Sequence, residues 1–193
     1  MHLRNIKLYC VLVTIVFIYG CTAAAVVTGG TTGISMVVDE RTVGTFIEDQ
    51  FIELKALNAM CEDKALSEQT HINITSYNTV VLLTGEAPSE ELRQRAANIA
   101  LNIEKVTHVH NEISIAAPSS LITRSSDLII TGKVKTKMLA DKNVVGLKVK
   151  IVTENGIVYL MGLLSQGQAN IATDIARSTG GAQKVVKLFE YVN

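Results

Sequence analysis

The chain has 193 residues, enough for one or two domains, and its apolar fraction of 48% is raised by the first twenty residues. Its 18 basic and 18 acidic residues cancel to a formal charge of zero, but not locally: Glu40 to Ala116 holds six Lys and Arg against twelve Asp and Glu, and Asp127 to Asn193 holds nine against five. Only three cysteines are present, at 10, 21 and 61, too few for a disulfide framework once a leader is removed.

Arg4 and Lys7 precede the apolar run Leu8 to Ile18, which then meets Tyr19-Gly20-Cys21. The run is too short to span a bilayer and has the charged front and small-residue exit of a signal peptide, residues 1–20. Gly20-Cys21 resembles the bacterial lipobox, with Ile18 at the aliphatic position and Tyr19 bulkier than the residues commonest there. Lipidation of Cys21 is favoured over an ordinary cleavable signal with an incidental cysteine. Three acyl chains on one residue exceed the two hydrophobic signals that stable anchoring needs. Cys61 is then the one thiol left, and its apolar helical surroundings predict a buried small hydrophobe.

Residues 21–39 form the lipidated cysteine and a flexible tether, since Thr22 to Val38 is uncharged and rich in Ala, Val, Thr and Gly. Its glycines do not lie between a strand and a helix, which argues against a phosphate loop. A helix follows from Phe46 to Asp63, with apolar residues at 47, 51, 54, 57 and 60 and acids at 48, 49 and 53 on the other side. Strands His71 to Ser76 and Thr79 to Gly85 come next. Ser89 then caps a second helix whose first turn carries Glu90 and Glu91, and Val106 to Ile115 is a third strand with period two.

Polar residues from Ala116 to Ser126 read as a linker, 117–126, between domains 40–116 and 127–193. Asp127 is expected to cap a helix Leu128 to Ala140, and the order then repeats: hairpin Leu147 to Gly162, helix Gln166 to Ser178, strand Lys184 to Val192. The repetition is visible in the residues. Ile72-Asn73-Ile74 and Tyr77 to Gly85 reappear 77 positions later as Val149-Lys150-Ile151 and Glu154 to Gly162, each a strand, a turn with Asn, and a strand ending in Gly. Ala96, Ile99 and Ala100 reappear at Ala172, Ile175 and Ala176. The fold class is therefore α+β, two tandem α/β sandwiches, each a three-stranded mixed sheet against two helices. Such small cores would gain from packing on each other.

The repeated helix, hairpin ending in Gly, helix and Val-x-x-Val-x-Asn ending, with Val106, Val109 and Asn111 in the first copy, resembles two BON domains. Arg41-Thr42-Val43-Gly44-Thr45, Val109 to Ile113, and Thr153 to Gly156 running on to Leu160-Met161-Gly162 are similar to the dual-BON outer-membrane lipoproteins, over nearly all of the chain after the tether. That resemblance implies a non-enzymatic lipoprotein, lipid-anchored in the cell outer membrane and facing the periplasm. It further implies support of envelope integrity, accumulation at division sites, and binding of anionic phospholipid through the first helix of the second domain.

Charge and periodicity lead toward the same surface. A positive second domain could meet nucleic acid, an acidic protein or an anionic membrane. The signal peptide and the lack of aromatics among the lysines argue against nucleic acid. The acidic first domain is itself an alternative partner for docking within the chain. Along the helix, Ile130, Val134 and Met138 stack on one core-facing stripe. Leu128, Ile129, Gly132 and Thr136 lie away from it with Lys133, Lys135 and Lys137 around them, the expected phospholipid-binding residues; contact of the aliphatics with the other domain is the competing use. Envelope-assembly or cell-wall proteins are the alternative partners.

No catalytic residue, cofactor or metal is expected. His108 and His110 alternate on a strand around the core residue Val109, which sends both rings to the solvent side with no further ligand nearby. Glu62-Asp63 and Glu90-Glu91 sit at helix ends, where carboxylates suit the helix dipole. No strained Gly-x-Ser-x-Gly turn or Cys-His pairing appears.

Overall fold

The computed structural model describes residues 42–141 and 148–192; the leader, Cys21 and the 21–39 tether lie outside the described residues. The first repeat runs α1 Val43–Glu62, α2 Lys64–Gln69, β1 His71–Tyr77, β2 Val80–Ala87, α3 Glu90–Leu101, β3 His108–Asn111 and β4 Ser114–Ile115. The second runs α4 Leu121–Ala140, β5 Lys150–Glu154, β6 Ile157–Leu164, α5 Gln166–Arg177 and β7 Lys184–Tyr191. In each, an antiparallel hairpin receives a third strand parallel to its second member after a crossover helix. The third strand predicted for the first repeat is interrupted: β3 and β4 both pair with β2, and the buried Ile113 lies in the break.

Both hairpins turn on residues with positive φ, Asn78 (51°) and Thr79 (66°) in the first, Asn155 (49°) and Gly156 (74°) in the second. A β-branched residue is costly in this region, so Thr79 needs support from outside the turn. It comes from α1: the buried Asp49 carboxylate accepts from the Asn78 and Thr79 amides at 2.8 and 2.9 Å and from Ser76 Oγ at 2.7 Å. Asp127 does the same from α4, accepting from the Asn155 and Gly156 amides at 2.9 and 2.8 Å. Asp127 is thus not a helix cap. Helix α4 begins seven residues earlier, capped by Ser120, so Leu121 to Ser126 is helical rather than linker.

The strands do not end at the repeated glycines but run two residues further, to Ala87 and Leu164. Glycine is required because backbone in, or just ahead of, the paired strand comes too close: a Cβ would lie 2.0 Å from the His71 carbonyl oxygen at Gly85 and 2.7 Å from that of Lys148 at Gly162.

The helices of each repeat cover one face of its sheet. Ile52, Met60, Val81, Leu83, Leu92 and Ala96 belong to the first core, and Ile130, Val134, Met138, Val158, Leu160 and Ala172 to the second. The other two sheet faces meet. Tyr77 and Leu82 pack with Tyr159 and Met161, all at most 3% exposed, and Val80, Val152, Val186 and Leu188 border them. Tyr77 Oη donates to the Lys148 carbonyl at 3.1 Å and accepts from the Leu163 amide. At the margins Lys150 pairs with Glu53 at 3.3 Å and Asn78 donates to Glu190 at 3.1 Å. The contact between the acidic and basic repeats thus has an apolar cluster, with hydrogen bonds and ion pairs beside it.

Candidate functional site

Helix α4 presents two opposite faces. Asp127, Ile130, Val134 and Met138 are buried, at most 5% exposed, against β5 and α5. On the far side Leu128 is 74% and Ile129 59% exposed, and Gly132, Lys133, Lys135, Thr136 and Lys137 are exposed with them. All seven residues predicted from the sequence are exposed, six around the outward side and Lys137 on the flank next to the buried stripe, and neither aliphatic is buried by the other repeat.

The longer helix enlarges this surface. Leu121, Ile122 and Leu139 are exposed as well, and at 100° per residue Leu121, Leu128, Gly132 and Leu139 form a continuous stripe opposite the buried one. Reading residues 121–126 as linker hid the first turns of this stripe, although Leu121 and Leu128 lie seven residues apart, two turns of helix. Lys133 and Lys135 flank the stripe, while Lys137 Nζ is held by the Ser178 carbonyl at 3.0 Å. Among the described residues outside its own helix backbone, none lies within 4 Å of where a Gly132 Cβ would sit, so this glycine serves no close approach between them. Beside the first turns of α4 lies a groove of about 530 Å³, lined by Ile122, Ser126, Asn155 and Gln183 among others.

In α1, of the apolar stripe expected at 47, 51, 54, 57 and 60, only Met60 is buried. Buried positions are Asp49, Ile52, Ala56 and Met60; Ile47, Phe51, Leu54 and Leu57 are about half exposed, together with Phe46. The buried set matches Asp127, Ile130, Val134 and Met138 at a constant displacement of 78, a repeat signal that was present in the sequence. Helical periodicity alone chose the wrong stripe because α1 carries apolar residues on two faces, and an acid, Asp49, marks the buried one. Cys61, expected in the core, is exposed for the same reason.

His108 and His110 stack edge to face with ring centroids 4.5 Å apart. They pair in register with Val80 and Leu82 and so share the sheet face turned toward the second repeat; His108 at its rim is exposed, as expected, whereas His110 is half-buried, which corrects the expectation of a solvent-side ring there. The carboxylate pairs at helix ends have structural work: Asp63 caps α2 and pairs with Arg95, and Glu90 accepts from Gln94 and Arg93. No helix among the described residues is long and apolar enough to cross a membrane.

The BON domain model matches residues 48–117 and 126–193. The chain belongs to the BON-domain family. Both BON matches fall on the two sandwiches described above. The chain is 38% identical over 97% of its length to the outer membrane lipoprotein DolP of Haemophilus influenzae, covering 96% of that protein. It is 39% identical to a 21 kDa hemolysin of Actinobacillus pleuropneumoniae over 80% of each chain. It is 31% identical to the osmotically-inducible protein Y of Escherichia coli over 74% of this chain and 72% of the other. These relatives are named as an outer membrane lipoprotein, a hemolysin and an osmotically inducible protein. A solved domain of the Chlamydia trachomatis secretion protein CdsD aligns at 13% identity over 75% of this chain and 67% of that one, with a TM-score of 0.29, too low to carry weight.

Proposed function

We propose that this BON protein is a non-enzymatic lipoprotein, anchored through Cys21 in the outer membrane and facing the periplasm, whose second domain binds anionic phospholipid along the outer face of α4. In this role it supports envelope integrity at division sites, as the dual-BON resemblance implies. The observation that carries the lipid reading is the exposed stripe Leu121, Leu128, Ile129 and Leu139 with Lys133 and Lys135 beside it. Each lysine near an anionic surface contributes about 1 kcal/mol, and the aliphatics add burial in the acyl boundary. The result is reversible contact, suited to positioning a protein already tethered by its acyl chains.

Flotation of residues 40–193, which contain every contact described above but not Cys21, separates this binding from the anchor. The fragment is expected to float with vesicles containing anionic lipid, less so at high salt, and Ile129→Glu to abolish flotation. Equal binding to neutral vesicles, or full binding by Ile129→Glu, would overturn the reading.

A second reading, an adaptor for envelope-assembly or cell-wall proteins, is favoured by the exposed Phe46, Ile47, Phe51, Leu54 and Leu57 of α1. That face belongs to the acidic domain, which an anionic membrane repels, and so suits a protein partner.

A further inference from the structure

Docking of the two sheets brings together three side chains that lie far apart in the sequence. His71 and Glu86 face each other across the open end of the first hairpin, and Glu154 arrives from the end of β5, just before the second hairpin's turn. His71 Nδ1 lies 3.3 Å from Glu86 Oε2, and one donor atom from each of the three side chains falls within 4.8 Å of the others. Both carboxylates are buried, at 2% and 6% exposure. We propose that His71, Glu86 and Glu154 are the ligands of a divalent transition-metal site, zinc by preference, whose ion clamps the two BON domains together.

The donor chemistry selects the ion. An imidazole with two carboxylates suits zinc and its neighbours, whereas magnesium and calcium favour all-oxygen sites. Ligand bonds of about 2.0–2.2 Å place donors a little over 3 Å apart around a tetrahedral ion, so the His71 to Glu86 spacing already fits and Glu154 needs a small shift. A water would complete the shell.

The surroundings orient the donors from both domains. Asn73 Nδ2 of the first domain donates to Glu154 Oε2 of the second at 2.8 Å, and Asn155 Nδ2 of the second donates to Glu86 Oε1 of the first at 2.5 Å. The Ser119 amide donates to Glu86 Oε2 at 3.2 Å, and Thr84 Oγ1 reaches Glu154 Oε2 at 3.4 Å. Such outer partners hold ligating carboxylates in metal sites.

Charge points the same way. A neutral imidazole, two carboxylates and one divalent ion together carry no net charge, which removes the cost of burying two acids side by side.

The test uses the intact chain in detergent, stripped with a chelator, dialysed against zinc and titrated by calorimetry. One zinc per chain is expected, with a rise in the unfolding midpoint as zinc is added. Glu154→Gln, which keeps the side-chain shape, and His71→Ala, at the margin of the cluster, are each expected to weaken binding by more than about tenfold and to remove the midpoint rise, while His108→Ala changes neither. Circular dichroism checks that each variant is folded. Absence of zinc binding in the parent chain overturns the site, and equal binding in the parent and both variants shows an adventitious ion only and overturns it as well. Binding without a midpoint rise overturns the clamp.

Discussion

Asp49 and Asp127 illustrate how one buried carboxylate can decide local structure. Each is folded into a helix yet spends its oxygens on the amides of a hairpin turn, where a charged acceptor satisfies donors that the turn leaves open. Asp49→Ala and Asp127→Ala are each expected to lower stability by about 3 kcal/mol in urea unfolding, since two partly or fully buried amides lose a charged partner. A loss below about 1 kcal/mol would show that water replaces the carboxylate. His110 gives a pH-dependent counterpart. Burial, then the adjacent His108, hold its imidazole below the ordinary value of 6.5. The unfolded chain therefore binds the proton more readily, and this residue's share of stability is complete above pH 6.5 and is lost as the pH falls from there to the depressed folded value. His110→Asn should flatten that part of the stability profile relative to the parent chain.

At the scale of elements, α1 and α4 share a buried pattern and differ outside it. Their inner faces repeat Asp, Ile, a small or β-branched residue and Met, whereas the outer face is aromatic and aliphatic on α1, aliphatic and basic on α4. The repeated scaffold is legible from spacing because strand and helix periods follow backbone geometry. Which face of α1 is buried was not, because apolar residues at 47, 51, 54 and 57 satisfy a helical period as well as the true core set does. Gly132 tests the outer face of α4. With open space around it, Gly132→Ala is expected to stabilise the helix by up to about 1 kcal/mol in thermal unfolding, and to leave vesicle binding intact. Weakened binding would mean that the lipid surface needs the gap.

For the whole molecule, the face-to-face contact of the sheets turns two small sandwiches into one unit. Tyr159 lies in that contact, and burial, followed by Glu112 and Glu154, pushes its phenol up to about 12. The core of a domain this small is marginal alone, so the buried apolar interface is expected to couple the two. Residues 40–193 should unfold in a single transition. Leu82→Ala, at the centre of the contact, should cost about 2–4 kcal/mol and lower the stability of both domains together. Two separate transitions in the parent fragment would show that the domains are independent.

By itself the sequence determined the duplication, the order of elements, the hairpin turns and the outward set Leu128, Ile129, Gly132, Lys133, Lys135, Thr136 and Lys137, because these depend on local backbone geometry and on spacings of a few residues. Tertiary structure alone decided that the free sheet faces meet, that α4 extends back to Leu121, that Asp127 serves a turn, and that His71, Glu86 and Glu154 converge. Apart from the start of α4, which a local cap sets, those outcomes depend on contacts between residues 15 to 112 positions apart, where pairing is set by the shape and chemistry of surfaces that form only after each repeat has folded.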